Sequence, residues 1–267
     1  MSVCVSHREG KHLESRVTQG AIGDRDKARF FMTDKTGPAS RSYNRIHDSA
    51  VGRWEKPLLQ AMAARTPAWI MPDHLTALGV AGAAFTGACY AATVFSPLFL
   101  IGASLGLFIN WVGDSLDGNL ARYRGIERPR YGFFVDHTSD IFSQMVVSFG
   151  LGLSIYMRFD VACLVLIAYL MVSVYTYIRM QATRVMQISY AGFGPTELRI
   201  LMLGMHVVAY TVGPKQYQVP MIGPLSIFDM GALLLFVIGV VSVFVGAIST
   251  AKQIANEDQP PVPAPGE

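Results

Sequence analysis

Four aspartates with regular spacing are the residues of this chain best suited to chemistry. Asp114 and Asp117 are three residues apart, and Asp136 and Asp140 are four residues apart, within the segment GDSLDGNLARYRGIERPRYGFFVDHTSD. Residues at these spacings lie on one face of a helix. Two antiparallel helices joined by a short loop would therefore bring all four carboxylates together.

A group of four carboxylates suits hard divalent cations. Oxygen ligands are preferred by Mg²⁺ and Mn²⁺, and we expect no histidine or cysteine ligand of the kind that zinc selects. Two such ions can stabilise both the attacking and the leaving oxygen of a phosphoryl displacement. The spacing therefore predicts a site for two Mg²⁺ or Mn²⁺ ions and a phosphoryl-transfer reaction.

The arginines nearby allow a purely structural alternative. Four of them follow the first aspartate pair: Arg122, Arg124, Arg128 and Arg130. One Asp at the centre of a membrane span costs about 2.5–3.5 kcal/mol, so the aspartates need partners, and these arginines could supply them as a charge network at the membrane edge. The paired spacing, with Gly118 and Gly132 permitting close approach of the backbone, favours the metal site.

The elements that must position these aspartates are predicted to be membrane helices. Hydrophobic residues make up 51% of the 267 residues and charged residues only 15%, with a mean hydropathy of +0.35. A span needs about 20 mostly apolar residues. We predict an all-α integral membrane protein with six transmembrane helices, near residues 75–95, 98–121, 133–157, 161–187, 196–213 and 227–250.

The remaining segments are predicted to lie outside the membrane. Residues 1–45 are polar and indicate a flexible cytoplasmic tail, and the proline-rich residues 253–267 indicate a disordered C-terminus. In residues 46–70, apolar side chains such as Val51, Trp54 and Leu58 recur at helical spacing, which predicts an amphipathic helix on the membrane surface. An ordinary linker is the alternative. The six-helix domain would occupy residues 71–252.

Charge and cysteine content bound the protein further. Lys and Arg concentrate in the loops after the second and fourth predicted spans and before the first, so both termini and the aspartates are predicted to be cytoplasmic. No apolar core precedes Phe30, which argues against a cleavable signal sequence. The three cysteines are too far apart for a disulfide framework or metal site. A formal charge of +3 gives no indication of nucleic-acid binding.

The aspartate segment resembles the pattern of the CDP-alcohol phosphotransferases, D-x-x-D-G-x-x-A-R, about nine residues, then G-x-x-x-D-x-x-x-D. Every fixed position is filled, by Asp114, Asp117, Gly118, Ala121, Arg122, Gly132, Asp136 and Asp140. The resemblance covers roughly residues 70–250. It implies six transmembrane helices, a homodimer, and transfer of a substituted phosphate from a CDP-alcohol to an acceptor hydroxyl with release of CMP, in phospholipid synthesis.

The resemblance also implies roles for individual residues. Asp114, Asp117 and Asp136 would hold the metals that bridge the CDP diphosphate. Asp140 would take the proton from the acceptor hydroxyl and also contact metal. The nucleotide site would be shaped by Gly118, Ala121, Arg122 and Gly132. Asp73 would contact the nucleotide, with a helix cap as the alternative.

Two branches of the family differ in their substrates. DHTSD resembles the D-H-x-x-D of choline/ethanolamine phosphotransferases, and Glu197 and His206 match their T-E-x-x-I and following His. TYIRMQATR instead resembles the branch that uses CDP-diacylglycerol, where Arg179 and Arg199 would grip a phosphorylated acceptor, although the positive-inside rule explains both arginines too. A CDP-amino-alcohol donor and a lipid alcohol acceptor are slightly favoured.

Three other interpretations remain. An ion or proton-coupled transporter would spread its acids across several spans, whereas these acids converge at one edge. A catalytically inactive scaffold would tolerate changed motif positions, and none is changed. The basic loops could also recruit anionic membrane lipid, at about 1 kcal/mol per Lys or Arg, which is compatible with catalysis.

Overall fold

The structure is a computed structural model of the chain. It describes residues 51–183 and 195–258, together with the backbone of two short strands, β1 (Asn44–Ile46) and β2 (Val185–Gln187). The predicted tail before residue 44 and the C-terminal residues 259–267 lie outside the described residues. No finding therefore bears on the predicted flexibility of these ends.

Seven α-helices make up most of the described chain. They are α1 (Gly52–Arg65), α2 (Pro72–Ala92), α3 (Phe99–Arg124), α4 (Pro129–Gly152), α5 (Phe159–Thr183), α6 (Pro195–Val212) and α7 (Ile227–Glu257). The last six coincide with the six predicted spans to within a few residues at most ends. The exception is α7, which continues to Glu257 and so includes residues 253–257 of the segment predicted to be disordered. The first proline after α7 begins is Pro260, and Gln253 donates a hydrogen bond to Glu257 over 2.9 Å.

Four of these helices are long and apolar enough to cross a membrane, namely α2, α3, α5 and α7. The helix α4 begins with charged residues from the aspartate segment, and α6 is shorter and carries Glu197 and Arg199 in its first turns. These polar ends lower the mean hydropathy of the two helices. Six spans therefore stay a prediction.

The helix ends follow from local sequence. Pro72 and Pro129 occupy the first turns of α2 and α4, where proline's missing N–H has no helical partner to lose. Gly125 ends α3 in the left-handed conformation, with φ of 64°. Ser226 and Asp229 cap each other's backbone N–H groups at the start of α7. A loop of only a few residues consequently separates α3 from α4, and the two helices run antiparallel.

The strands form two small sheets. β1 pairs with β2 in parallel, with Asn44 opposite Val185. β3 (Gln216–Val219) and β4 (Gly223–Ser226) form an antiparallel hairpin between α6 and α7, with Gln216 opposite Ser226. This hairpin lies at the end of the helices opposite to the aspartate segment. The predicted all-α architecture is thus correct apart from these short additions.

Buried apolar residues form one cluster at each end of the helices. Next to the aspartates, the helix α1 buries Leu59 and Ala63 against Leu75, Leu116 and Leu120. The opposite face of α1 leaves Trp54 83% and Leu58 51% exposed. This two-sided pattern agrees with the predicted amphipathic helix, but its position at a membrane surface stays a prediction. The second cluster surrounds the fully buried side chain of Tyr90.

The helices α2 and α3 approach each other closely beside Asp114. A Cβ atom at Gly113 would lie 2.5 Å from the carbonyl oxygen of Leu75 and 2.6 Å from the Cα of Gly79, which is closer than real contacts allow. Only glycine at residue 113 therefore permits this spacing. The same contact fixes the position of Asp114 along the axis of α2.

We predict that Gly113→Ala lowers the free energy of unfolding by about 1–3 kcal/mol, because the new methyl group forces α2 and α3 apart. Thermal unfolding of the purified protein in detergent micelles measures this. The control is Gly204→Ala on α6, where a new Cβ meets nothing within 4 Å and an unchanged or slightly raised melting temperature is expected. Equal melting temperatures for both variants would contradict the close packing.

Candidate active site

Asp117 is the most buried of the four aspartates. Its residue is 8% exposed, and its Oδ2 accepts a hydrogen bond from the Thr76 hydroxyl over 2.6 Å. Its Oδ1 accepts from the backbone N–H of Gly118 over 2.5 Å. The contact with Thr76 joins α3 to the first turns of α2. The orientation of this carboxylate is therefore fixed by the protein itself.

The second aspartate pair lies on α4 together with a histidine. One ligand atom each of Asp136, His137 and Asp140 lie within 4.8 Å of one another, a spacing that could hold a metal ion. His137 Nδ1 is 2.9 Å from Asp136 Oδ2. The imidazole packs between the rings of Phe133 and Tyr177, with centroid distances of 4.1 and 5.1 Å. This stacking fixes the ring plane of His137.

The structure brings the two aspartate pairs together, as their spacing predicts. The Asp117 carboxyl interacts electrostatically with Asp114 and Asp136. The Asp140 carboxyl interacts with the same two residues. Asp114 and Asp140 also line one small cavity. The four carboxylates thus face one another across the antiparallel helices α3 and α4.

One arginine lies within this acidic group. Arg199, from the start of α6, makes an ion pair of 2.7 Å with Asp114 Oδ2 and donates a hydrogen bond of 3.0 Å to Asn110 Oδ1. Asn110 is itself buried and donates to the carbonyl oxygen of Gly79 on α2 over 3.0 Å. Arg199 therefore fixes one oxygen of Asp114 and ties α6 to the α2–α3 pair.

Arginines beside the site have other partners. Arg128 makes an ion pair of 2.8 Å with Asp73 and lies 4.0 Å from the centroid of the Tyr131 ring. The hydrogen bond with Asp73 raises the pKa of the Arg128 guanidinium above its usual value. Arg124 donates to backbone carbonyls, including that of Ile70 over 2.6 Å. The structural alternative, in which these arginines pair with the four aspartates, is not realised by either residue.

The residues predicted to shape the nucleotide site lie along the exposed edge next to the aspartates. A Cβ atom at Gly118 would lie 3.4 Å from Nη1 of Arg122, so the guanidinium lies over the glycine. Gly132 has open space where a side chain would be. Ala121 is half-buried and Arg122 is exposed. Asp73 lies in the first turn of α2 and pairs with Arg128, while Met71 occupies the cap position.

The predicted acceptor residues fall in different places. Arg199 lies at the aspartates, as described above. Glu197 Oε1 accepts a hydrogen bond from the backbone N–H of Val51 over 3.1 Å. Arg179 is half-buried near the end of α5, two residues beyond Tyr177. Of these three residues, Arg199 is the one that the structure shows in an ion pair with an aspartate of the site.

His206 lies in the buried cluster at the opposite end of the helices. Its Nε2 is 2.6 Å from the Tyr90 hydroxyl, and its Nδ1 is 2.7 Å from the Ser104 hydroxyl. His206 is seven residues beyond Arg199, which corresponds to about 10 Å along a helix. Both ring nitrogens therefore have hydrogen-bond partners within the protein core, and the acceptor role of His206 stays a prediction.

Three residues at the site were missed by the sequence analysis. The sequence analysis expected no histidine ligand, but the structure places His137 within ligand distance of Asp136 and Asp140, where it could hold a metal ion. Thr76 and Asn110 carry no local signal, because their contacts depend on how α2, α3 and α6 pack. Only the D-H-x-x-D pattern could have indicated His137.

The donor atoms present suit a divalent cation. Carboxylate oxygens dominate, and one imidazole nitrogen lies among them within ligand distance. Contacts within the protein fix the directions of two carboxylates: Asp114 pairs with Arg199, and Asp117 accepts from the Thr76 hydroxyl and the Gly118 N–H. Such supporting contacts are typical of metal sites, where they orient the ligands. The residues therefore fit a metal centre built mainly from aspartate.

Comparison with known families agrees with this geometry. The family described as CDP-alcohol phosphatidyltransferase matches residues 69–246, which is well over half of the chain, and the chain belongs to this family. No curated protein sequence matches the chain significantly. Together with its apolar helices, the family makes this an integral membrane transferase that moves a phosphate-linked group from a CDP-alcohol donor to an alcohol acceptor in phospholipid synthesis.

We predict that His137→Phe raises the Mn²⁺ concentration needed for half-saturation by about 10- to 100-fold, the usual cost of losing a residue that ligates or orients a metal site. The phenylalanine ring keeps the stack with Phe133 and Tyr177, so the fold should be retained. Calorimetric titration of Mn²⁺ measures the effect. Asp160→Asn, at the opposite end of the helices, should leave binding unchanged; an unchanged affinity in His137→Phe would exclude His137 from the site.

Proposed function

We propose that this chain catalyses the metal-dependent transfer of a substituted phosphate from a CDP-activated alcohol to a hydroxyl group, with release of CMP. The observation that supports this most directly is the convergence of four carboxylates from α3 and α4. The family supports the reaction class. The residue roles and the substrates below are part of the proposal.

Asp114, Asp117, Asp136 and Asp140 would hold two Mg²⁺ or Mn²⁺ ions, with His137 beside them. When bound, these ions would supply positive charge next to the diphosphate and the departing CMP. Thr76 and Arg199 hold Asp117 and Asp114 in fixed directions without substrate. These carboxylates therefore need little rearrangement when substrate binds.

Asp140 is proposed to act as the general base. An alcohol is a poor nucleophile at neutral pH and gains from a base within hydrogen-bond reach. The acceptor oxygen forms a bond to the phosphorus next to CMP, its proton passes to Asp140, and the bond between this phosphorus and the CMP oxygen breaks. Asp140 suits this role because it lines the cavity beside Asp114.

The nucleotide is proposed to bind along the edge formed by Gly118, Ala121, Arg122 and Gly132. Gly118 and Gly132 offer no side chain that would block this edge, and Arg122 is exposed beside Gly118. An arginine can bind phosphate oxygens with two parallel hydrogen bonds. Asp73 would contact the nucleotide from α2, and Arg128 is its present partner.

A CDP-amino-alcohol donor and a lipid alcohol acceptor are the substrates we propose first. This choice rests on the resemblance of DHTSD to the D-H-x-x-D pattern. The position of His137 among the site residues supports it, because the histidine that distinguishes this pattern lies beside both aspartates of α4. Glu197 and His206 add no support, since both have partners within the protein.

The second candidate is a phosphatidyltransferase that uses CDP-diacylglycerol and a small or phosphorylated alcohol. One observation favours it: Arg199 lies among the aspartates, where a cation could also contact the phosphate of such an acceptor. Arg179 on α5 would join it. A homodimer, binding of membrane lipid, and a cytoplasmic location of both termini and the site complete the proposal. The arginine-rich loops support that orientation.

We predict that Asp140→Asn lowers kcat by about 10²- to 10⁴-fold, since it removes the base but leaves an oxygen ligand. Binding of CDP-alcohol should persist. Asp117→Asn should in addition raise the metal concentration needed for turnover. CMP release in lipid–detergent micelles measures both effects, with Asp160→Asn as the control that keeps wild-type turnover. Normal turnover in Asp140→Asn would contradict the assigned role.

The choice between the two substrate branches is tested by comparing CDP-linked donors with the wild-type protein. CDP-choline, CDP-ethanolamine and CDP-diacylglycerol are each incubated with lipid alcohols and with small or phosphorylated alcohols. We predict metal-dependent CMP release from a CDP-amino-alcohol with a lipid alcohol. Release only from CDP-diacylglycerol would instead establish the second candidate, and in that case Arg199→Ala should raise KM for a phosphorylated acceptor.

A further inference from the structure

The carboxylate of Glu55 lies between three helices near the site. Glu55 belongs to α1, and its Oε1 accepts hydrogen bonds from the Trp111 indole N–H over 2.7 Å and from the Ser115 hydroxyl over 3.2 Å, both on α3. Its Oε2 is 3.0 Å from the Thr196 hydroxyl in the first turn of α6. Glu55 therefore joins the start of α6 to α3.

A second contact joins the start of α1 to the start of α6. The backbone N–H of Val51, directly before α1, donates to Glu197 over 3.1 Å. Thr196 and Glu197 are consecutive residues in the first turn of α6. Two side chains thus connect the start of α1 with α6: Glu55 of α1 contacts Thr196, and Glu197 of α6 contacts the backbone of Val51.

These contacts lie beside the ion pair of the site. Arg199 follows Thr196 by three residues, so the two side chains lie on the same face of α6. On α3, Ser115 is the residue next to Asp114. The contact of Glu55 with Ser115 and Thr196 and the contact of Arg199 with Asp114 therefore cross the same α3–α6 boundary next to each other.

The helix α1 is itself anchored firmly enough to serve as a support. Leu59 is 5% and Ala63 1% exposed, and both pack against Leu116 and Leu120 of α3. Burial of apolar side chains is the main stabilising term available to a short helix. Glu55, one turn before Leu59, is held in place by this packing.

We propose that Glu55 is a positioning residue: it fixes the first turn of α6 and thereby holds the Arg199 guanidinium on Asp114. This inference rests on the proposed function of the aspartate site. Without the Glu55 carboxylate, the indole and two hydroxyl groups lose their acceptor, and the start of α6 is free to shift relative to α3. Arg199 then no longer orients Asp114.

The first test is a double-mutant cycle on CMP release. Glu55→Ala should lower kcat about 10-fold in the otherwise wild-type protein, near the lower limit for residues that orient metal ligands. In an Arg199→Ala background the same change should cost less than about 2-fold, because the residue through which Glu55 acts is already gone. Glu55→Gln keeps an acceptor oxygen and should retain most activity. Equal costs in both backgrounds would overturn the proposal.

The second test does not depend on activity. Spin labels at Tyr123→Cys and Ile200→Cys, both exposed positions on α3 and α6, report the distance between these helices in a variant whose three native cysteines are replaced by alanine. Double electron–electron resonance should give a narrow distribution with Glu55, a broader one with Glu55→Ala, and no change with Gln60→Ala. An unchanged distribution in Glu55→Ala would overturn the proposal.

The two tests separate this inference from the proposed function. If the wild-type protein releases no CMP from any donor, the proposed function fails, and the distance distribution alone decides whether Glu55 fixes α6. If Glu55→Ala does not fold, Thr196→Val takes its place in both tests, because it removes only the hydroxyl that contacts Glu55.

Discussion

Mutual repulsion among four carboxylates at one end of a helix bundle is the constraint on which the rest of this structure depends. Ionised carboxylates repel one another at short range, and partial burial adds the cost of removing them from water. The protein offsets part of this cost with the Thr76 hydroxyl, the Gly118 N–H and the Arg199 guanidinium. Carboxylate oxygens gathered in this way are the ligands that hard divalent cations prefer.

Close packing of small residues makes that arrangement possible. Gly113 lets α2 approach α3 directly beside Asp114, and Thr76 then reaches Asp117 from α2. The amide nitrogen of Asn110 donates to a backbone carbonyl of α2, and its amide oxygen accepts from Arg199 of α6. The site is therefore held by contacts between helices, whereas the last turn of α3 and the loop after it supply the exposed residues Arg122 and Arg128.

The features predicted correctly from the sequence are those with a short-range cause. Helical spacing alone placed Asp114 with Asp117 and Asp136 with Asp140, and a short loop ended by Gly125 and Pro129 made the two helices antiparallel. Apolar runs gave the helix positions. Each of these depends on residues within a few turns of one another, and so on information that a single sequence contains.

The features that could not be predicted depend on contacts between distant parts of the chain. Thr76, Asn110 and Glu55 are ordinary polar residues in sequence. Only helix packing brings Thr76 to Asp117, Asn110 to Arg199, and Glu55 to the hydroxyl of Thr196. The sequence analysis assigned both Arg199 and His206 to the acceptor, through two different resemblances. The two residues lie at different depths of α6, one at the site and one in the core with Tyr90. A shared helix does not imply a shared site.

The central claim is that the four aspartates form one site for two metal ions. Electron paramagnetic resonance of the purified protein during titration with Mn²⁺ tests it most directly. We predict two ions per chain with the spectrum of a spin-coupled pair. This coupling should be lost in Asp136→Asn, because Asp136 interacts electrostatically with both Asp117 on α3 and Asp140 on α4. Single uncoupled ions, or a spectrum unaffected by Asp136→Asn, would contradict the claim.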